Sequence, residues 1–128
     1  MTVLLDTNAL LWAVLHPSSL SPKATEILSD ESNQALVSAA SAWEIATKAR
    51  LRKLPGAEAF ESNLLDVLEF NGYSILPIDG ATALHAARLV SAHTDPFDRI
   101  IAAQALALDI PVISIDSKLD NFGIRRIW

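Results

Sequence analysis

The sequence predicts an α/β fold, a three-layer helix–sheet–helix sandwich around a mainly parallel sheet of four to five strands. Three observations carry that reading. Short Val- and Ile-rich runs recur along the chain, they lack the alternation of a half-exposed strand, and stretches with helical spacing separate them. A strand that is apolar on both faces needs helices on both faces to cover it. Parallel strands joined by helices also imply right-handed crossovers.

The first strand is "TVLL", Thr2 to Leu5, which stops abruptly at Asp6, Thr7 and Asn8 before a helix from Ala9 to Leu15. The loop "HPSSLSP" (His16 to Pro22) leads to a helix from Lys23 to Ser29. The second strand, "ALVS" (Ala35 to Ser38), precedes a helix from Ala40 to Arg52. "LPG" (Leu54 to Gly56) interrupts the chain before a helix from Ala57 to Phe70. "YSILPI" (Tyr73 to Ile78) is the third strand, followed by helices from Ala81 to Ser91 and from Phe97 to Leu108. "PVISI" (Pro111 to Ile115) is the fourth, and "IRRIW" (Ile124 to Trp128) reads as a last short strand. No internal repeat, low-complexity tract or linker divides residues 1–128, so one domain is expected.

Composition narrows the function classes. Hydrophobic residues make up 51% and charged residues 20%, a globular balance. With no cysteine, a disulfide framework and a thiolate metal site are both excluded. The net charge of −5 argues against a generic polyanion binder, because phosphate contacts draw on Lys and Arg, although it says little about local fields. The first apolar run meets Asp6 too early for a signal peptide, and no segment approaches the ~20 apolar residues of a membrane helix. A soluble, cytoplasmic protein is the expectation.

The acids sit where a parallel sheet binds ligands. Asp6 follows the first strand, Glu44 lies in the first turns of the helix after the second, Asp98 opens the helix after "HTDPF", and Asp116 follows "PVISI". Ligands of open α/β sheets bind beyond the carboxyl ends of the strands, so four carboxylates from distant parts of the chain map to one edge. Like charges that close raise one another's pKa unless a cation is present. Hard oxygen donors without Cys or clustered His favour Mg²⁺ or Mn²⁺ over zinc.

Each acid also has an ordinary structural reading. Asp6 can simply cap a helix. Glu44 ends "SAWE", a capping box from Ser41. Asp98 falls at the third helical position if Asp95 is the N-cap and Pro96 the first residue, where an acid suits the helix dipole. Asp116 fits a turn. Asp79 is a control: it too follows a strand, in "LPIDGATAL", and it reads only as a cap.

The order and neighbours of the four acids are more specific than any one of them. "LLDTN", "SAWEIATK", "DPFDRIIAAQA" and "ISID" together resemble the PIN-domain family, most closely its VapC-type ribonuclease toxins, over essentially the whole chain. The resemblance implies that Asp6, Glu44, Asp98 and Asp116 hold the metal and that Thr7, Asn8 and Ser114 steady it. Ser114 stands where Thr is usual and keeps the hydroxyl. The implied activity is metal-dependent RNA hydrolysis leaving a 5′-phosphate and a 3′-hydroxyl, on tRNA, rRNA or mRNA. Asp95, one turn before Asp98, is expected to support the site from behind. The implied partners are a cognate antitoxin and a second copy of the chain.

For the substrate, Lys48 and Arg52 follow Glu44 at helical spacing and are expected to contact RNA backbone. Arg50 and Lys53 widen that patch, and Arg125 and Arg126 form a smaller one. Arg99 fits either a phosphate contact or a carboxylate pair. His16, His85 and His93 show no ligand spacing, and Trp12 and Trp43 read as packing rather than base stacking. Four acids aimed at one pocket also match a guanidinium, so an antitoxin segment is expected to place Arg or Lys against Asp6, Asp98 and Asp116. Its apolar residues would dock near Trp12, Leu15 and Trp43. Two other classes compete. A haloacid-dehalogenase-like phosphohydrolase wants a second Asp where Asn8 stands, and a non-catalytic binding domain would be marked by loss of one of the acids.

Overall fold

The computed structural model describes residues 1–128, the side chain of Ala57 excepted. Five strands form one sheet in the order β3-β2-β1-β4-β5, every neighbouring pair parallel. They are β1 (Thr2–Leu5), β2 (Gln34–Ser38), β3 (Tyr73–Leu76), β4 (Val112–Ile113) and β5 (Arg126–Ile127). The expected fold class is what is found, with shorter third, fourth and fifth strands.

Alternate strand residues face opposite sides, and both sides are dry. Val3, Leu5, Val37 and Ile113 pack into a core with Leu10, Ile27, Ile45 and Leu68, while Leu4, Leu36 and Val112 pack on the other face with Ile101, Ala102, Leu119 and Phe122. The unalternated runs in the sequence are therefore the two-sided centre of a three-layer sandwich. The helices are α1 (Thr7–Leu15), α2 (Pro22–Ser29), α3 (Ala39–Arg50), α4 (Ala57–Glu61), α5 (Leu64–Phe70), α6 (Gly80–Arg88) and α7 (Pro96–Leu108). Short 3₁₀ turns occupy Pro17–Ser19 and Ser117–Phe122. Gln104 of α7 donates from Nε2 to the Pro77 carbonyl at 3.1 Å, tying that helix to the end of β3.

Four sequence expectations change here. The helix expected to run from Ala81 to Ser91 ends at Arg88. The helix expected over Ala57 to Phe70 is two, α4 and α5, because the chain turns at Ser62 and Asn63. The helix expected to run to Arg52 ends at Arg50. There the Lys53 N–H bonds back to the Lys48 carbonyl and the Arg52 N–H to the Ala49 carbonyl, with Arg52 left-handed at φ 54°. That is a Schellman ending, in which Arg52 takes the position usually given to Gly and leaves the Glu44–Lys48 face. The capping box is also absent. Ser38 caps α3 by accepting from the Ala40 N–H, and Ser41 lies inside the helix.

Candidate metal centre

The chain moves outward from β1 to β2 to β3, then crosses back to β4 and β5. The strand order therefore reverses between β1 and β4, and a crevice opens beyond their carboxyl ends. Asp6 leaves β1 at that point and Asp116 follows β4. The N-termini of α1 and α7 also meet there, placing their positive dipole ends at the crevice.

Asp6 caps α1 and is held at both oxygens. Oδ1 accepts from the Ala9 N–H at 2.8 Å and Oδ2 accepts from the Ser114 hydroxyl. The Ser114 Oγ in turn accepts from the Asp116 N–H at 2.9 Å, so one buried hydroxyl sets two acids. Asp6 is only 5% exposed, and burial pushes its carboxyl up to about 6, against the pull of Ser114 and Ala9. Nearby Asp98 and Asp116 add to the rise.

Asp98 lies where the Asp95–Pro96 start puts it, at the third position of α7. Asp95 accepts from the Phe97 and Asp98 N–H groups at 2.9 and 3.1 Å. Burial raises the Asp98 carboxyl too, opposed by its hydrogen bond to His93. Glu44 is buried on α3 and fully engaged: Thr7 Oγ1 donates to Oε1 at 2.5 Å, and Lys48 Nζ meets Oε2 at 2.5 Å. Thr7 is also 3.0 Å from Ser41 Oγ.

A cleft of about 150 Å³ is lined by Asp6, Thr7, Asn8, Glu44, Lys48, Asp95, Asp98 and Asp116. Five acids share it with one cation, and that cation is already paired with Glu44. The donors are hard oxygens, a set that suits a hard divalent cation. Asp79, the control, is exposed. It accepts from the Thr82 N–H at 2.7 Å as an ordinary cap, and that bond lowers its pKa.

Some expected residues are not brought to the cleft. Arg52 is turned away by the end of α3. Arg99 points the other way from Asp98 and is spent on backbone, donating to the carbonyls of Ala86 (2.9 Å), Leu89 (2.5 Å) and His93 (2.9 Å), with longer contacts to Ala87 and Ser91. It is neither a free phosphate contact nor a carboxylate pair. Arg126 pairs with Asp120 and Arg125 with Asp109. Trp12 does pack, against Trp128 at 5.7 Å, but Trp43 is 63% exposed, edge-on to Phe97 at 5.0 Å.

Sequence reasoning missed one residue at the site. His93 Nε2 lies 2.8 Å from Asp98 Oδ2, and His93, Asp98 and Asp116 bring ligand atoms within 4.8 Å of one another. It lies in the loop between α6 and α7, and standing two residues before the Asp95 cap is its one local cue.

The fold and this crevice define a parallel α/β domain with an acidic site at the switch point, and the PIN domain model matches residues 3–124. The chain belongs to the PIN domain family. It is similar to Ribonuclease VapC16 of Mycobacterium tuberculosis, 41% identical over 73 residues, covering 55% of this chain and 52% of that protein. The match thus spans about half the length of that relative. In fold it is similar to VapBC2 from Rickettsia felis bound to a promoter DNA fragment, with a TM-score of 0.73 at 17% identity over 99% of this chain and 98% of that one. It is similar also to VapBC-1 from nontypeable Haemophilus influenzae (TM-score 0.67, 17% identity, 99% and 97% covered) and to FitAcB from Neisseria gonorrhoeae (0.65, 21%, 98% and 96%).

Proposed function

We propose that this chain, over residues 1–128, is a metal-dependent endoribonuclease that acts as the toxin of a toxin–antitoxin pair. One observation carries the reading: Asp6, Asp98 and Asp116 converge on a small cleft whose only lining cation, Lys48, is already bound to Glu44. Uncompensated carboxylates at a switch point call for a cation. The similarity to a protein named Ribonuclease VapC16 supports RNA as substrate, and the likeness to VapBC complexes supports an antitoxin partner.

Asp6, Asp98 and Asp116 would hold Mg²⁺ or Mn²⁺, with Glu44 behind them. Such an ion supplies an activated water and polarises a phosphate oxygen. The protein's own residues do the positioning. Ser114 and the Ala9 N–H fix the Asp6 carboxylate, so it needs no reorganisation when a cation arrives. Thr7 and Lys48 hold the two oxygens of Glu44 in place, and Lys48 would present an ammonium toward phosphate. The α1 and α7 N-termini add partial positive charge where a phosphodiester would lie.

The test is cleavage of single-stranded RNA with Mn²⁺, with EDTA, and by the Asp6→Asn and Asp98→Asn variants. The reading expects 5′-phosphate products from the wild type with metal only, and at least a hundredfold loss in either variant, or about 3 kcal/mol of barrier. Cleavage undiminished by EDTA would overturn it. For the partner, an antitoxin segment carrying Arg or Lys is proposed to sit against Asp6, Asp98 and Asp116, and the toxin to pair with a second copy of itself. RNA cleavage by a co-purified complex should rise once the antitoxin is digested; a complex as active as the free chain rejects pocket blocking.

A further inference from the structure

The loop between α6 and α7 is built by a single side chain. Arg99 gathers the carbonyls of Ala86, Ala87, Leu89, Ser91 and His93, so its guanidinium organises the whole segment from the end of α6 to His93. Its charge also lies over the Phe122 ring at 5.7 Å. The His93 ring packs against the same Phe122, centroids 5.6 Å apart, and the His93 N–H is accepted by Ser91 Oγ at 3.1 Å. Backbone and ring face are both held, and the imidazole Nε2 meets Asp98 Oδ2 at 2.8 Å.

We infer that His93 is a positioning residue for Asp98, set in place by Arg99. A carboxylate that holds a cation is ionised and only accepts, so in that state Nε2–H donates to Oδ2 and Oδ1 is left for the cation. The same nitrogen cannot carry that proton and ligate a cation, which assigns His93 to orientation and not to coordination. Histidine–carboxylate pairs of this kind ordinarily have the histidine on the metal and the carboxylate behind it. Here the order is reversed. The inference also gives Arg99 a reason to stand beside Asp98: one residue of α7 faces the cleft, and the next builds the loop that holds it.

The inference rests on the metal-site reading, and its test separates the two. Mn²⁺ is titrated into the wild type, His93→Gln and His93→Phe, with bound ion followed by electron paramagnetic resonance and folding by thermal denaturation. Gln places an amide N–H near the position of Nε2, whereas Phe keeps the packing on Phe122 without a donor. Positioning expects Phe to weaken Mn²⁺ binding by about 10–100-fold at a near-native melting temperature, and Gln to restore it to within about threefold. A Phe variant that binds Mn²⁺ like the wild type overturns the inference and leaves the metal site standing. Gln as weak as Phe overturns it too, since a donor alone would then not suffice. A wild type that takes up no Mn²⁺ overturns both. Arg99→Lys, which keeps the charge but not the fan of donors, is expected to weaken binding in the same direction as Phe.

Discussion

Asp6 and Asp79 occupy equivalent places in this molecule. Each follows a parallel strand, each caps the helix that comes next, and each accepts a backbone N–H at 2.7–2.8 Å. Their chemistry is opposite. Asp79 is exposed and its cap bond holds its carboxyl below the usual range, whereas Asp6 is buried and its carboxyl is pushed up to about 6. Capping is therefore a shared duty that explains neither residue's environment. Position in the sheet explains it: β1 is central, beside the β4 switch point, while β3 is an edge strand. A carboxylate that weakens the fold in order to sit at a crevice is a better sign of function than one that strengthens it.

The sharpest way to break the comparison is activity. Asp6→Asn should abolish RNA cleavage while Asp79→Asn leaves the rate unchanged, measured side by side with Mn²⁺. The next effect is on stability without metal. Because the folded pKa of Asp6 lies above its unfolded value of 3.8, the native state binds the extra proton, and stability falls as pH rises from about 4 to about 6. The full penalty, on the order of 3 kcal/mol, is present at pH 7. Urea denaturation in EDTA should find Asp6→Asn more stable than wild type at pH 7, with that slope removed.

Ser114 comes next. Ser114→Ala takes the donor from Asp6 and the acceptor from the Asp116 N–H, and should cost about 2 kcal/mol. Ser114→Thr keeps the hydroxyl and should lose less than half of that in the same urea titration. The smallest effect belongs to Asp79→Asn, since Asn caps about as well as Asp. Its signature is in pH. A depressed folded pKa contributes stability above the unfolded value and loses it as pH falls below 3.8, so the variant should flatten the acid limb that Asp6→Asn leaves intact.

How much of this was legible in the sequence follows from range. Asp6, Asp95, Asp98 and Asp79 were placed correctly because strand ends and helix starts are local events, written in caps and in the Asp–Pro pair. The convergence of the acids was legible as well, since parallel connectivity brings the carboxyl ends to one side. What was not legible depends on partners far away in the chain. Glu44 was placed among the converging acids, but the Thr7 hydroxyl that holds its oxygen comes from 37 residues earlier and was not foreseen as its partner. Arg99 sits in a motif full of acids, yet its partners are carbonyls whose loop has no periodicity to read. His93 has no ligand spacing of its own and becomes part of the site only because that loop folds back. Trp43 carries the apolar signature of a core residue and is exposed because α3 buries Ala40, Ile45 and Ala49 instead.

Thermal denaturation with and without Mn²⁺ of the wild type, Asp6→Asn and Asp79→Asn tests the central claim most directly, because a ligand that binds only the native state raises its melting temperature. The account predicts that Mn²⁺ raises the midpoint of the wild type and of Asp79→Asn equally, and leaves Asp6→Asn unmoved. An equal rise in all three proteins, or none in the wild type, would contradict it.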